Sequence, residues 1–467
     1  MAAEAVQFGI VMQSAVQPSC VEGQSCYSKG AVAGWAIGVV TVCSILNVSS
    51  RRLSLNLNSA FGLFKTIFVV GTVVAGFAYN SRGGSCRNIT WQAKEPGSNF
   101  GDTVLALVFS MYSYTAFDQP FYVLREVRHP RQIFVSSLVL SMGVMLVLFP
   151  LVNVAYYCVV PYDGSPPPKN LVTALYTTIS DWPGAERVVI GFVATFIAGS
   201  IVAQTYTASR VNVEIAKEGI LPQSLYWAST GSSFYFRGLS RYWRGRLGDP
   251  AHLIDRELPE QVPLGGTILH WLSTVLLIVV GIVVGKASDG YTLLTFLRVF
   301  PLAVLLGAFT LSGLAHLKIA PLLWLWQHKR PPIAVPPGAK AWAWRPPLDP
   351  LPTLAGAAAL TFLSVAIFAR PSQLRVDDPL PYWAYPLLGW SPVLLGVLWW
   401  LCLRYWEWKS QWTLVVNKRA YAVEDGDGDI VVKAEVVSHS RQPILRQRTR
   451  EFRSEREAAS NGVAWEE

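Results

Sequence analysis

The sequence predicts an all-α polytopic membrane protein. Three observations carry that prediction. Hydrophobic residues make up 52% of the chain and charged residues only 15%, less charge than a soluble chain of 467 residues carries. Apolar runs of about 20 residues, the length that crosses a bilayer as a helix, recur from end to end. Basic residues gather in every second link between those runs, the asymmetry that orients a multi-span chain. The net charge of +9 sits largely in these links, so nucleic acid is not the implied partner.

The elements follow in order. Residues 2–16 are apolar but short, with Glu4 near their start, and read as part of a span. Cys20 and Cys26 lie in the link 17–29. Residues 30–47 form a full span, Asn47–Asn58 a short polar link with Arg51 and Arg52, and 59–79 a span that carries Lys65. The link 80–99 holds Cys86 and the glycosylation sequon Asn88-Ile89-Thr90. Further spans are read at 101–124, 135–160, 186–209, 264–285, 291–317, 350–369 and 381–403. Together they make a transmembrane domain over 1–405, followed by a charged, largely disordered tail at 406–467.

The span 101–124 is interrupted. Val104–Met111 is almost continuously apolar; then Tyr112, Ser113, Tyr114, Thr115, Ala116, Phe117, Asp118, Gln119 and Pro120 follow in a row. Proline removes a donor and disturbs the turn before it. Lipid cannot satisfy the freed backbone groups, so such a break faces protein or a water-filled cavity. Broken helices at mid-membrane depth build many transporter sites. A proline-kinked packing helix is the plainer alternative, and an acid at that depth weighs for the cavity.

The basic links are 48–58, 125–134, 210–262, 318–349 and the tail, which places them on the cytoplasmic side. Asn88, Cys20, Cys26 and Cys86 then fall outside, where glycosylation occurs and disulfides persist, and the plasma membrane is the expected compartment. The six cysteines have no metal-type spacing, and nothing suggests covalent catalysis.

Residues 101–134 and the stretch Ala208-Ser209-Arg210 to Ala216-Lys217-Glu218-Gly219-Ile220-Leu221-Pro222 resemble signatures of the amino acid–polyamine–organocation superfamily. Within it the resemblance is to the L-type transporters and the fungal high-affinity methionine permeases. Phe64-Lys65 and Leu151–Tyr156 are weaker matches. The resemblance covers about 1–405 and implies an inverted-repeat permease of which nine to ten helices are present. By this count the chain begins inside the family's third helix, and the broken first helix that holds the substrate's polar ends is absent.

The resemblance implies roles for single residues. Tyr112, Ser113, Tyr114, Thr115, Phe117 and Asp118 would bind substrate, with Pro120 shaping the break. Tyr112 as a plain packing residue is an equal alternative. Asp118 has three readings: a partner for a cationic substrate, a partner for Lys65, or a group facing the cytoplasmic cavity. Lys65, Gly199 and Ser200 would form a cation or coupling site, where an ammonium stands in for a metal ion, beside the plainer alternatives of Lys65 snorkelling to the cytoplasmic face and Gly199 and Ser200 serving ordinary helix packing. Asn153 would hydrogen-bond between helices. The implied function is transport of a neutral or large apolar amino acid by alternating access, with proton or exchange coupling and no tightly bound cofactor. A single-pass glycoprotein partner joined through Cys20 or Cys26 is implied beside an internal disulfide. The alternative is a non-transporting membrane protein that senses or binds, or a non-functional truncated remnant.

Overall fold

A computed structural model of the chain describes residues 1–17, 28–81, 99–114, 118–124, 130–160, 171–180, 182, 184–228, 231–232, 261–284, 287–302, 311–314, 350–370, 381–424 and 430–443. Its helices are α1 (Ala2–Val16), α2 (Lys29–Ser49), α3 (Arg51–Ser81), α4 (Phe100–Ser113), α5 (Gln119–Tyr122), α6 (Pro130–Val159), α7 (Leu171–Ile179), α8 (Ala185–Lys217) and α9 (Ser224–Trp227). After a two-residue pairing of β1 (Gly231–Ser232) with β2 (Gln261–Val262) come α10 (Leu264–Val283), α11 (Ala287–Leu302), α12 (Pro350–Ala366) and α13 (Ala384–Ser410). The chain ends in an antiparallel ribbon of β3 (Trp412–Glu424) and β4 (Ile430–Pro443).

Among the described residues, six helices are long and apolar enough to cross a membrane: α2, α3, Ser136–Val159 of α6, α8, α10 and α13. The chain is an integral, multi-pass, α-helical membrane protein. Its helix faces show the reversed burial that a lipid solvent allows. Leu63 and Val74 of α3 and Leu140 of α6 stand 65%, 61% and 70% exposed.

The chain forms two compact units, 1–88 with 118–278 and 397–467, and 89–117 with 279–396. In the first, α8 is the hub, packed by α1, α2, α3, α5, α7 and α9. Small residues set the closest approaches. A Cβ on Gly9 of α1 would meet the Val32 carbonyl of α2 at 2.5 Å, and one on Gly76 of α3 would meet the Ala155 Cβ of α6 at 2.6 Å. In the second unit, Val104 and Val108 of α4 pack with Leu293, Phe296, Phe300 and Ile367 in an aromatic-rich core.

The Asn47–Asn58 link differs from its expectation. Only Ser50 interrupts the helix, in extended backbone at φ −160° and ψ 128°. Asn47 makes this tight return affordable. Its Nδ2 donates to the carbonyls of Cys43 (2.9 Å) and Val202 (3.3 Å), while its Oδ1 accepts from Ser54 Oγ (2.5 Å). One buried amide thus satisfies three groups that lipid could not.

The tail differs more. The last helix runs to Ser410, past the expected boundary, and the ribbon pairs Trp412 with Pro443 through to Glu424 with Ile430, with an irregularity at Tyr421/Ala422. Gln411 turns the chain between helix and strand in the left-handed region (φ 57°), its Nε2 donating back to the Trp408 carbonyl at 2.7 Å. The expectation of largely disordered chain rested on the charge and on the lack of a periodic apolar face. The β-branched clusters at Thr413–Val416 and Ile430–Val432 supply strand character regardless.

Candidate functional site

The interrupted helix is interrupted in the structure. Asn99 and Asp102 open α4 with a capping box, the Asp102 carboxylate accepting the Asn99 backbone N–H at 2.9 Å. The helix ends at Ser113, and Tyr114 caps it with φ −96° and ψ 3°. The second piece, α5, starts at Gln119 with Pro120 inside its first turn, the position where proline's missing donor costs nothing. Pro120 therefore opens the second half-helix. Thr115, Ala116 and Phe117 lie outside the described residues.

The named side chains take distinct environments. Tyr112 is half-buried against the core of the second unit, edge-on to Tyr291 with ring centroids 6.4 Å apart. Ser113 is exposed and donates to the Phe109 carbonyl of its own helix at 3.1 Å. Asp118, in the first unit, accepts the Tyr122 hydroxyl at 2.6 Å through Oδ2, while its Oδ1 is buried without a hydrogen bond. Gln119 follows, and its Oε1 accepts from Thr207 of α8 at 3.2 Å.

A second polar locus lies where α3 and α1 meet α8. Lys65 Nζ donates to Ser200 Oγ at 2.6 Å, so the structure joins two members of the expected coupling site. Gly199 explains how they meet. A Cβ there would stand 2.8 Å from the ring of Phe61, one helical turn before Lys65, so only glycine lets α3 come this close. Phe64 and Phe68 pack on Phe192 and Phe196 beside the pair, with centroids from 4.9 to 5.6 Å.

One turn along α8, the Gln204 side-chain amide donates to Glu4 Oε1 of α1. The other carboxylate oxygen, Oε2, is buried with no hydrogen bond. Two polar pairs, an ammonium on a hydroxyl and a carboxylate on an amide, thus lie one turn apart along α8. Glu4 and Gln204 were not among the expected site residues. The available signal was an acid at the head of an apolar run and an amide four residues after Ser200, which shares its helix face.

Other expectations fare differently. Asn153 is exposed and its Nδ2 donates to the Phe149 carbonyl of its own helix at 2.8 Å; among the described residues it shows no bond to another helix. It sits three residues after Pro150, where a side-chain amide readily turns back on the local backbone. Asn88, Cys20, Cys26 and Cys86 lie outside the described residues. Cys158, at the end of α6 and absent from the expected set, is disulfide-bonded, and Cys43 and Cys402 are free. Among the described residues, no group of three or more His, Cys, Asp or Glu side chains is arranged to hold a metal.

Comparison with known proteins completes this picture. The amino acid permease family matches residues 3–392. Over 390 residues the chain is 23% identical to the high-affinity methionine permease of Saccharomyces cerevisiae, covering 80% of this chain and 59% of that protein. It is 27% identical over 198 residues to the low-affinity methionine permease of the same yeast, 41% of this chain and 36% of that protein. It is 24% identical over 199 residues to the b(0,+)-type amino acid transporter 1 of Mus musculus, 42% of this chain and 39% of that protein. The matches therefore span less than two thirds of each of these relatives.

Proposed function

Because the chain belongs to the amino acid permease family, we propose that it carries an amino acid across a membrane, as a transporter and not an enzyme. The observation that carries this reading is the family match across 3–392. The substrate is a neutral or large apolar amino acid, methionine being the first to test in view of the two yeast relatives. It moves by alternating access. The site lies at the break after α4, with Tyr112, Ser113, Tyr114, Thr115, Phe117 and Asp118 as its residues. The Oδ1 of Asp118, buried without a hydrogen bond, supports it, since it offers an acceptor to an ammonium group.

Coupling, to protons or to exchange, resides in the seam of Lys65, Gly199 and Ser200, extended here by Glu4 and Gln204. A half-buried ammonium bonded to a hydroxyl, with a half-satisfied carboxylate against the next turn of α8, is a costly arrangement to keep without use. The basic links and the tail face the cytoplasm and the membrane is the plasma membrane. A glycoprotein partner through Cys20 or Cys26 belongs to the same reading.

The test is uptake of radiolabelled amino acids, methionine and leucine included, by cells expressing the chain at confirmed surface levels. Uptake that disappears with Tyr112→Ala supports the reading and its site. Silence across the panel sinks it and favours a sensing or binding role.

A further inference from the structure

The terminal ribbon does not stand alone. Trp412 pairs with Pro443 and Val416 with His439, which puts Leu414, Val416 and His439 on one face. That face lies on the end of α8. His439 Nε2 donates to the carbonyl of Lys217, the last residue of α8, at 3.0 Å. Such terminal carbonyls have no partner inside the helix and need a donor from elsewhere. The Leu414 side chain covers Gly219, which closes α8 in the left-handed region at φ 74°; a Cβ on Gly219 would collide with it. From α13, the helix that leads into the ribbon, Trp399 Nε1 donates to the Ile220 carbonyl at 2.8 Å. A notch of about 460 Å3 remains under the ribbon, lined by Gly219, Gln223, Ser224, Tyr226, Leu414 and His439.

Three separate contacts therefore converge on four consecutive residues, Lys217 to Ile220. A two-stranded ribbon is marginal by itself in water. Its folding and its seating on α8 support each other, so the two are lost together.

We infer that the β3–β4 ribbon is a conformational clasp on the end of α8: seated, it caps the helix and holds the turn from Lys217 to Ser224; lifted, it frees that turn. The helix so held is the one that carries Ser200 and Gln204. Whatever displaces the ribbon thus acts on the hub of the first unit through a contact outside the apolar spans.

Hydrogen exchange read by mass spectrometry on the full chain in lipid nanodiscs tests this. In the wild type, amides of 412–416, 438–440 and 217–224 exchange slowly. Leu414→Asp places a charge on Gly219 and raises exchange in all three segments about tenfold, with the spans unchanged. His439→Ala removes one bond and gives a smaller rise in the same segments, which keeps the test decisive where Leu414→Asp disturbs the spans. Ribbon amides that exchange like unfolded chain in the wild type overturn the clasp. So does a turn whose exchange ignores release of the ribbon.

The transport arm rests on the permease reading. In a chain that takes up an amino acid, release changes the initial rate per surface molecule by at least about twofold, and an unchanged rate removes the regulatory role. Absent uptake in every variant counts against the permease reading, and exchange alone then decides the clasp.

Discussion

The seam between α3 and α8 and the core around α4, α11 and α12 are built to different rules. The first holds Lys65 on Ser200, Glu4 on Gln204, and a glycine where α3 presses in. The second buries Val104, Val108, Leu293, Phe296 and Phe300 almost completely, with the Tyr382 hydroxyl spent on the Ile367 carbonyl at 2.7 Å. In the second, every removed methylene costs packing and nothing else. In the first, polar groups sit where an apolar residue of similar size would be cheaper, so their retention points to work beyond stability.

Substitutions can break or sharpen this contrast. The largest effect belongs to the apolar core. Phe296→Ala lowers stability by about 3–5 kcal/mol, read as a fall in the thermal midpoint of purified protein. If the midpoint holds while uptake per folded molecule collapses, the core is more than packing and the contrast fails. Next comes Gly199→Val, which drives a branched side chain into Phe61 and costs about 1–3 kcal/mol. It also forces α3 outward and parts Lys65 from Ser200, so uptake falls further than the midpoint alone explains.

Lys65→Met sharpens the contrast most. It keeps the length of the side chain and removes the ammonium. Uptake falls about tenfold, equivalent to about 1.4 kcal/mol in the barrier, with little movement of the midpoint. A midpoint loss as large as that of Phe296→Ala would recast Lys65 as a structural residue. The smallest effect is at Asn153, whose amide only turns back on its own helix. Asn153→Ala changes the midpoint by less than the equivalent of about 0.5 kcal/mol and leaves uptake alone.

The contrast also sorts what was legible in the sequence. The break after α4 could be read directly, because Pro120 and the run of hydroxyls before it alter backbone bonding within a few residues. The helical, multi-span character could be read for the same local reason. Lys65 could be flagged as costly from its own span, and only the family resemblance set it beside Ser200, 135 residues away; the hydrogen bond itself is supplied by packing. Glu4 was visible as an acid in an apolar run, yet without Gln204 opposite it had no role to suggest. The ribbon was missed because the tail's charge outweighed its β-branched clusters. What reveals it is long-range, His439 reaching Lys217 across 222 residues.

The elbow at Ser50 has a practical meaning. Lengthening a surface link costs little entropy where the chain has slack. Between α2 and α3 there is one extended residue, and Asn47 ties both arms and α8 together across it. The two helices are in effect a single bent rod with no slack at the bend. An epitope or fluorescent insert placed there would have to break all three bonds of Asn47. That elbow is therefore a place to avoid when labelling the protein.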